Sequence, residues 1–355
     1  TVATALNVGQ IRAGPGESNS LFLTAVGAGS TLDLSSVQSI DASADGGVPG
    51  SVTLDVHAYN SGTIKLPNLH TITGSSNPSR IISVSLDPTG TLSFPTLQAT
   101  TGRVAFHIYQ GGTNTLPTLQ SALGAQFYID QNTTLNAPLL TAIDDSTFSV
   151  GSHSTFTTVA TVYRAHNLLT NTTLFGGSFQ SALNLSSITT LDDSFDDGSP
   201  NQTIHGIGTS AGAVDLSGLQ TILGPIRPED RFRFVATNGP IRFSSLTLPA
   251  SCELYLTTAG IFDITGDLIV TPAASFNGDS GASPAATSIR IGGNFQFQPA
   301  SPAAFAAARG ASIAMIGFGE HTFEVCSANN GNTAPSSFAP NFALGLLQIG
   351  DTAVN

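Results

Sequence analysis

A triplet of apolar positions three residues apart recurs along this chain and sets the fold it can adopt. It reads Leu34-Val37-Ile40, Leu66-Leu69-Ile72, Phe94-Leu97-Thr100, Leu116-Leu119-Ala122 and Ala137-Leu140-Ile143. It continues as Phe156-Val159-Val162, Leu185-Ile188-Leu191, Leu216-Leu219-Ile222 and a worn Phe243-Leu246-Pro249. The first positions are 32, 28, 22, 21, 19, 29, 31 and 27 residues apart by subtraction. A short alternating stretch follows each triplet, as in Val52-Thr-Leu-Asp-Val56, Val104-Ala-Phe-His-Ile108 and Phe127-Tyr-Ile129. Alternation of period two is the pattern of a strand with one buried face. A small polar residue followed by an apolar one precedes the triplets, as in Thr31-Leu32, Thr63-Ile64, Thr91-Leu92 and Thr134-Leu135. One unit therefore supplies two short strands and two or three bends, roughly 20–30 residues, the size of a solenoid coil.

One coil cannot bury its apolar side alone, so coils stack around a shared narrow core. The composition follows from that geometry. Outward positions take Thr, whose β-branch suits extended backbone, and Gly and Asn take the bends. Charged residues make up only 10% of the chain, with Lys+Arg 11 and Asp+Glu 23, a formal net charge of -12. The clustered Lys and Arg of a nucleic-acid binder are missing, so no nucleic-acid partner is expected. No run of about 20 apolar residues offers a transmembrane segment. At 40% hydrophobic residues with Phe 21, the chain is also unlike a disordered one.

The expected fold is all-β, a right-handed β-solenoid (β-helix) with irregular coils. Residues 1–29 read as an N-terminal strand or cap segment and 30–251 as the triplet-bearing coils. Past Cys252 the triplets give way to Gly-bounded strands such as Phe262-Asp-Ile264, Ile289-Arg-Ile291 and Phe295-Gln-Phe297, a β-helix continuation over 252–355. One short helix is expected over Pro302–Arg309, with Ser301 as N-cap and Gly310 as the stop. Thr1 reads as the start of a processed or excised chain, and the sequence is expected to continue past Asn355.

A Gly two residues past the triplet, as in Ile72-Thr-Gly74, Thr100-Thr-Gly102, Ala122-Leu-Gly124 and Ile222-Leu-Gly224, resembles the receptor L-domain pattern. L domains are solenoids related to leucine-rich repeats, and the resemblance covers roughly residues 30–250. The C-terminal third, with Gly292-Gly-Asn-Phe-Gln-Phe297 and Gly317-Phe-Gly-Glu-His-Thr-Phe323, is similar to the β-strand repeats of large secreted bacterial surface proteins. The chain departs from L domains in its irregular period and in lacking cysteine-rich end modules. The resemblance implies a fold and an extracellular or cell-surface setting, and no activity.

Catalytic chemistry finds little purchase in the sequence. Gly206-Ile-Gly-Thr-Ser210 has the wrong shape for a nucleophile elbow, and nothing selects one Ser among many. The His residues, 57, 70, 107, 153, 166, 205 and 321, show no metal-ligand spacing. Arg231-Phe-Arg233, with Arg227 and Arg242 nearby, is the one basic cluster and reads as an outer strand face paired with Glu229 and Asp230. With no Trp and Tyr 5, a long aromatic carbohydrate platform is not expected. The best candidate site is the acidic insertion Asp192-Asp-Ser-Phe-Asp-Asp-Gly198, where Asp192, Asp193, Asp196 and Asp197 are candidate Ca²⁺ ligands. Cys252 and Cys326 are either one disulfide or two small buried side chains. Sequons lie at Asn132, Asn171, Asn184 and Asn201. No catalytic residue or other cofactor is assigned.

These features lead to the expectation of a non-enzymatic extracellular structural protein: a surface scaffold, a filament or lattice subunit, or an adhesin segment. Its expected partners are further copies of itself or other surface and matrix components. The alternative is a carbohydrate-active (lyase or hydrolase) or carbohydrate-binding β-helix with a groove along one face.

Overall fold

The computed structural model describes residues 5–7, 18–43, 51–77, 79–109, 111–278, 288–297, 312–316, 321–325 and 346–349. Every regular element among them is a β-strand, and the strand pairs within each unit are parallel. The protein is an all-β solenoid. No helix of the described residues is long and apolar enough to cross a membrane. The helix expected over 302–309 lies outside the described residues, and so does Cys326.

The chain divides into two compact units, Thr1–Ala160 and Thr161–Asn355. In Thr1–Ala160 each coil contributes to three faces. The first face carries Ala5–Asn7, Ser39–Asp41, Thr71–Thr73, Ala99–Thr101 and Ser121–Leu123. The second, widest face carries Ser18–Val26, Ser51–Tyr59, Arg80–Leu86, Val104–Ile108, Gln126–Ile129 and Thr147–Val150. The third carries Thr31–Asp33, Thr63–Lys65 and Thr91–Ser93, then Gly112–Thr115, Thr133–Asn136 and Thr155–Thr157. A coil therefore holds three strands where the sequence pattern suggested two. The extra one is the last member of each apolar triplet, too short at three residues to show alternation.

Thr161–Asn355 repeats the scheme. Its wide face runs through Thr172–Gly177, Ile204–Ser210, Arg231–Thr237, Cys252–Thr257 and Ser275–Gly278. The first face changes partway: Val162–Arg164, Thr190–Asp192 and Thr221–Leu223 form one sheet. Leu246–Leu248, Leu268–Val270, Phe295–Phe297 and Phe323–Val325 form another. That switch is the change of texture visible near Cys252.

The triplets mark the corner between the third and first faces. Leu66, Leu69 and Ile72 are all buried, as are Leu116, Leu119, Ala122 and Leu185, Ile188, Leu191. One triplet is corrected by the structure. In Phe156-Val159-Val162 the middle residue, Val159, is 41% exposed, and Ala160 and Tyr163 are buried instead. The corner there holds one more residue, which turns the following strand by one position and exchanges its faces. At the next corner Gly102 and Gly124 have φ of +70° and +71°. That left-handed backbone calls for Gly at these two positions, whereas at Gly74 and Gly224 a side chain would meet the backbone of Arg103 and Ala250 at 2.6 and 2.7 Å.

Inside the wide face, in-register strands bring like side chains together. Phe106 pairs with Phe127 and Phe127 with Phe148 across adjacent coils. Their ring centroids lie 5.0 and 4.8 Å apart, nearly parallel at 9° and 0°. Parallel strands about 4.8 Å apart impose this spacing, and each such pair adds to the burial of the rings.

Candidate functional site

The same register operates on the outside of the wide face in Thr1–Ala160. Inward residues Leu86, Ile108, Ile129 and Val150 leave their neighbours facing solvent. One outward row is Thr24, His57, Ser85, His107, Tyr128 and Ser149, paired strand to strand in that order. The next position along the coils gives Tyr109, Asp130 and Gly151, whose amides donate to the carbonyls of Leu86, Ile108 and Ile129. Tyr59, Tyr109 and Tyr128 thus gather on one face, with His57 and His107 between them.

The rings stack. His107 lies 4.8 Å from Tyr128 at 9°, and His57 lies 5.8 Å from Tyr109 at 10°. His57 is also 4.7 Å from Tyr59. Ser85, sandwiched between the His57 and His107 positions, is buried under this cover. Beyond Tyr128 the row drops to Ser149 and Gly151, and a groove of about 250 Å³ opens there. His107, Tyr109, Tyr128, Asp130, Ser149 and Gly151 line it. A side chain at Gly151 would meet the backbone of Asp130 at 2.8 Å, so the groove floor stays bare.

Electrostatically the groove is neutral to acidic. Burial pushes His107 below the ordinary imidazole value of 6.5, only partly opposed by Asp55. His57 Nε2 sits 3.2 Å from Asp87. Burial alone would raise Asp87, but Thr89 and His57 outweigh it and hold the carboxyl below the usual range. Tyr128 donates its hydroxyl to Gln126 at 3.2 Å, which leaves the ring standing in the groove wall.

The acidic insertion is laid out differently from a cation site. Asp192 accepts from the Ser194 amide and hydroxyl and lies 3.0 Å from His166 Nε2. Asp193 is wholly buried, its Oδ1 2.6 Å from His205 Nδ1. Asp196 pairs with Arg227, and Asp197 accepts from the Ser199 amide and the Thr203 hydroxyl. The four carboxylates face four separate sets of partners, and no group of three or more His, Cys, Asp or Glu converges among the described residues.

Ser194, His166 and Asp192 do approach one another, with Ser194 Oγ 3.3 Å from His166 Nε2. A relay needs the acid on the ring nitrogen opposite the serine. Here Ser194 and Asp192 both face Nε2, and the serine hydroxyl bonds the carboxylate directly at 2.5 Å. The same Asp/Asn-to-hydroxyl turn recurs at Asp33–Ser35, Asp87–Thr89, Asn184–Ser186 and, through the backbone amide, Asp215–Ser217. It closes the bend after a short strand.

The basic cluster resolves into local pairs. Arg227 holds Asp196 and Glu229, Arg231 donates to the carbonyls of Pro228 and Asp230, and Arg233 pairs with Glu253 under Tyr255. Asp230, expected outside, is buried and accepts from the Thr203 amide at 2.8 Å. Cys252 is also buried, which pushes its thiol far above the ordinary value.

The groove residues were not singled out from sequence. Their signal was present as His57-x-Tyr59, His107-x-Tyr109 and Tyr128-x-Asp130, each on alternate positions of a strand. Only the cross-coil register shows that the three pairs align. Compared with family models, curated proteins and solved structures, the chain matches none.

Proposed function

We propose that this chain is a non-enzymatic structural protein of an extracellular surface or matrix, acting as a scaffold, filament or lattice subunit or adhesin segment. The carrying observation is how the outer polar residues are used. Thr96 donates to the carbonyls of Pro67 and Leu69, one coil away, and Thr118 does the same to Pro95 and Leu97. Thr134 and Thr155 bond each other across coils at 2.9 Å, and Thr237 bonds Thr257. The surface hydroxyls thus fasten coil to coil, as suits a stacked structural element. The L-domain-like Gly pattern supports the same extracellular setting. A parallel ladder of coils is extended by adding a further coil to its last strand, so further copies are the expected partners. Electron microscopy and sedimentation of the purified chain over a wide concentration range test this. End-to-end oligomers or filaments are expected; monomers at every concentration would overturn the self-assembling reading.

A further inference from the structure

We propose that the groove beside Tyr128 binds one pyranose ring of a neutral glycan, with the Tyr128 ring as the stacking wall and Tyr109 at the rim. The argument starts from which ring faces are free. His107 covers one face of Tyr128. On the other side the paired residue is Ser149, too short to reach the ring. Tyr109 has both His57, at 5.8 Å, and His107, at 6.4 Å, stacked against it, and borders the groove at its rim. Both tyrosines are exposed, at 40% and 42%. Tyr128 therefore presents its uncovered ring face to the slot on the Ser149 side, and Tyr109 closes the rim.

The chemistry of the slot selects the occupant. A pyranose offers an apolar C–H face for the Tyr128 ring and equatorial hydroxyls for acceptors at the rim. The Asp130 carboxylate and the Ser149 hydroxyl stand there as hydrogen-bonding groups. No Lys or Arg lines the groove, so a uronate or a phosphate would meet the Asp130 carboxylate without a counter-charge. At about 250 Å³ the space falls below the usual size of a drug-like pocket and suits one ring of a longer chain. Affinity is accordingly expected near a Kd of ~0.1–1 mM. Further rings would run over His107 and His57, which continue the row. This goes beyond the scaffold reading and does not depend on self-association.

Calorimetry and NMR titration of the full chain with cellohexaose, chitohexaose and xylohexaose, against polygalacturonate and an unstructured neutral peptide, test the site. Saturable binding of at least one neutral oligosaccharide is expected. Tyr128→Ala should weaken it by ~10-fold or more, in line with truncating an aromatic anchor, and Tyr109→Ala, at the rim, by less. Tyr128→Phe should stay within about threefold, since the ring face and not the hydroxyl makes the contact. Ser149→Trp, which fills the slot while keeping both tyrosines, should abolish binding. Tyr255→Ala, an outer-face tyrosine elsewhere, should leave it unchanged. Both truncated tyrosines are exposed, so unchanged circular dichroism is expected throughout. Absence of binding to all three neutral oligosaccharides at 10-fold above ~1 mM would overturn the proposal. So would preference for polygalacturonate or the peptide, or binding that the Tyr128 and Ser149 variants leave intact.

Discussion

In Thr1–Ala160 the wide face buries Phe106, Phe127 and Phe148 as one parallel stack, whereas in Thr161–Asn355 an inward position of the wide face holds His205 beside Asp193. Both interiors are closed to water: Phe127 is 1% exposed, His205 and Asp193 0%. The difference lies in what each must satisfy. Stacked phenyl rings need only shape and register. The histidine–aspartate pair needs every polar atom matched, and His205 Nε2, Asp193 Oδ2 and the nearby Asp230 Oδ2 have no partner among the described residues. Phe195 packs at 4.2 Å on His205 and supplies no hydrogen bond. A repeat fold thus carries an apolar interior and a titratable one on the same coil plan, and the two respond to different perturbations.

The largest expected effect breaks the apolar side. Phe127→Ala removes the middle ring of the stack and opens a void that the rigid ladder cannot close, at a cost of about 3–5 kcal/mol. Urea unfolding followed by circular dichroism measures it, since the chain has no Trp. The outward neighbour Tyr128→Ala, on the same strand, should cost within about 0.5 kcal/mol. Equal losses at the two positions would contradict the inward–outward assignment of the strand.

The next effect belongs to the titratable side. Burial raises the Asp193 carboxyl to about 6, with His205 opposing the shift. The folded chain therefore holds this proton more tightly than the unfolded chain, whose value is the ordinary 3.8. By linkage, the contribution of Asp193 is fully present below about pH 4 and is lost as pH rises through 6. Asp193→Asn keeps an acceptor for His205 and removes the charge. It should raise stability at pH 7 by about 1–3 kcal/mol and flatten the profile between pH 4 and 6. A wild-type profile that climbs from pH 4 to 6, or an Asn variant less stable at pH 7, would contradict this account.

Much of the architecture was readable because period and burial coincide. Leu66-Leu69-Ile72 and Phe127-Tyr-Ile129 follow the pattern of buried residues directly, so the stacked coils follow from them. The Phe156-Val159-Val162 copy failed because a corner can absorb one residue without leaving an apolar gap in the sequence: Val159 and Ala160 are both apolar, and only packing selects between them. Three-residue strands escaped notice because alternation needs more length to register. The groove was illegible for a different reason. His57, His107 and Tyr128 come from three coils, and coil lengths vary, so their alignment exists only in the pairing of His57 to Ser85, Ser85 to His107 and His107 to Tyr128. The ion pairs were hidden in the same way, since His57–Asp87 and His166–Asp192 are joined across coils rather than along a helix.

The smallest effect concerns Asp192, and it sharpens the contrast because it sits next to Asp193 with the opposite sign. Burial would raise Asp192, but the Ser194 hydroxyl, His166 and the Ser194 amide together hold its carboxyl below the ordinary 3.8. Its contribution is therefore present above pH 4 and lost as pH falls through the lowered value. Asn184 already closes the same turn with Ser186 as an amide, through its Oδ1 and the Ser186 amide and hydroxyl. Asp192→Asn should thus keep the bend and lose only the charge-assisted share of the bonds, about 0.5–1 kcal/mol at pH 7. Acid unfolding of the two single variants, compared with the parent, separates the neighbours. Asp192→Asn should flatten the limb below pH 4 and Asp193→Asn the limb between 4 and 6. A common shift in both windows would mean that the two carboxyls titrate as one unit, against the separate partners that His166 and His205 provide.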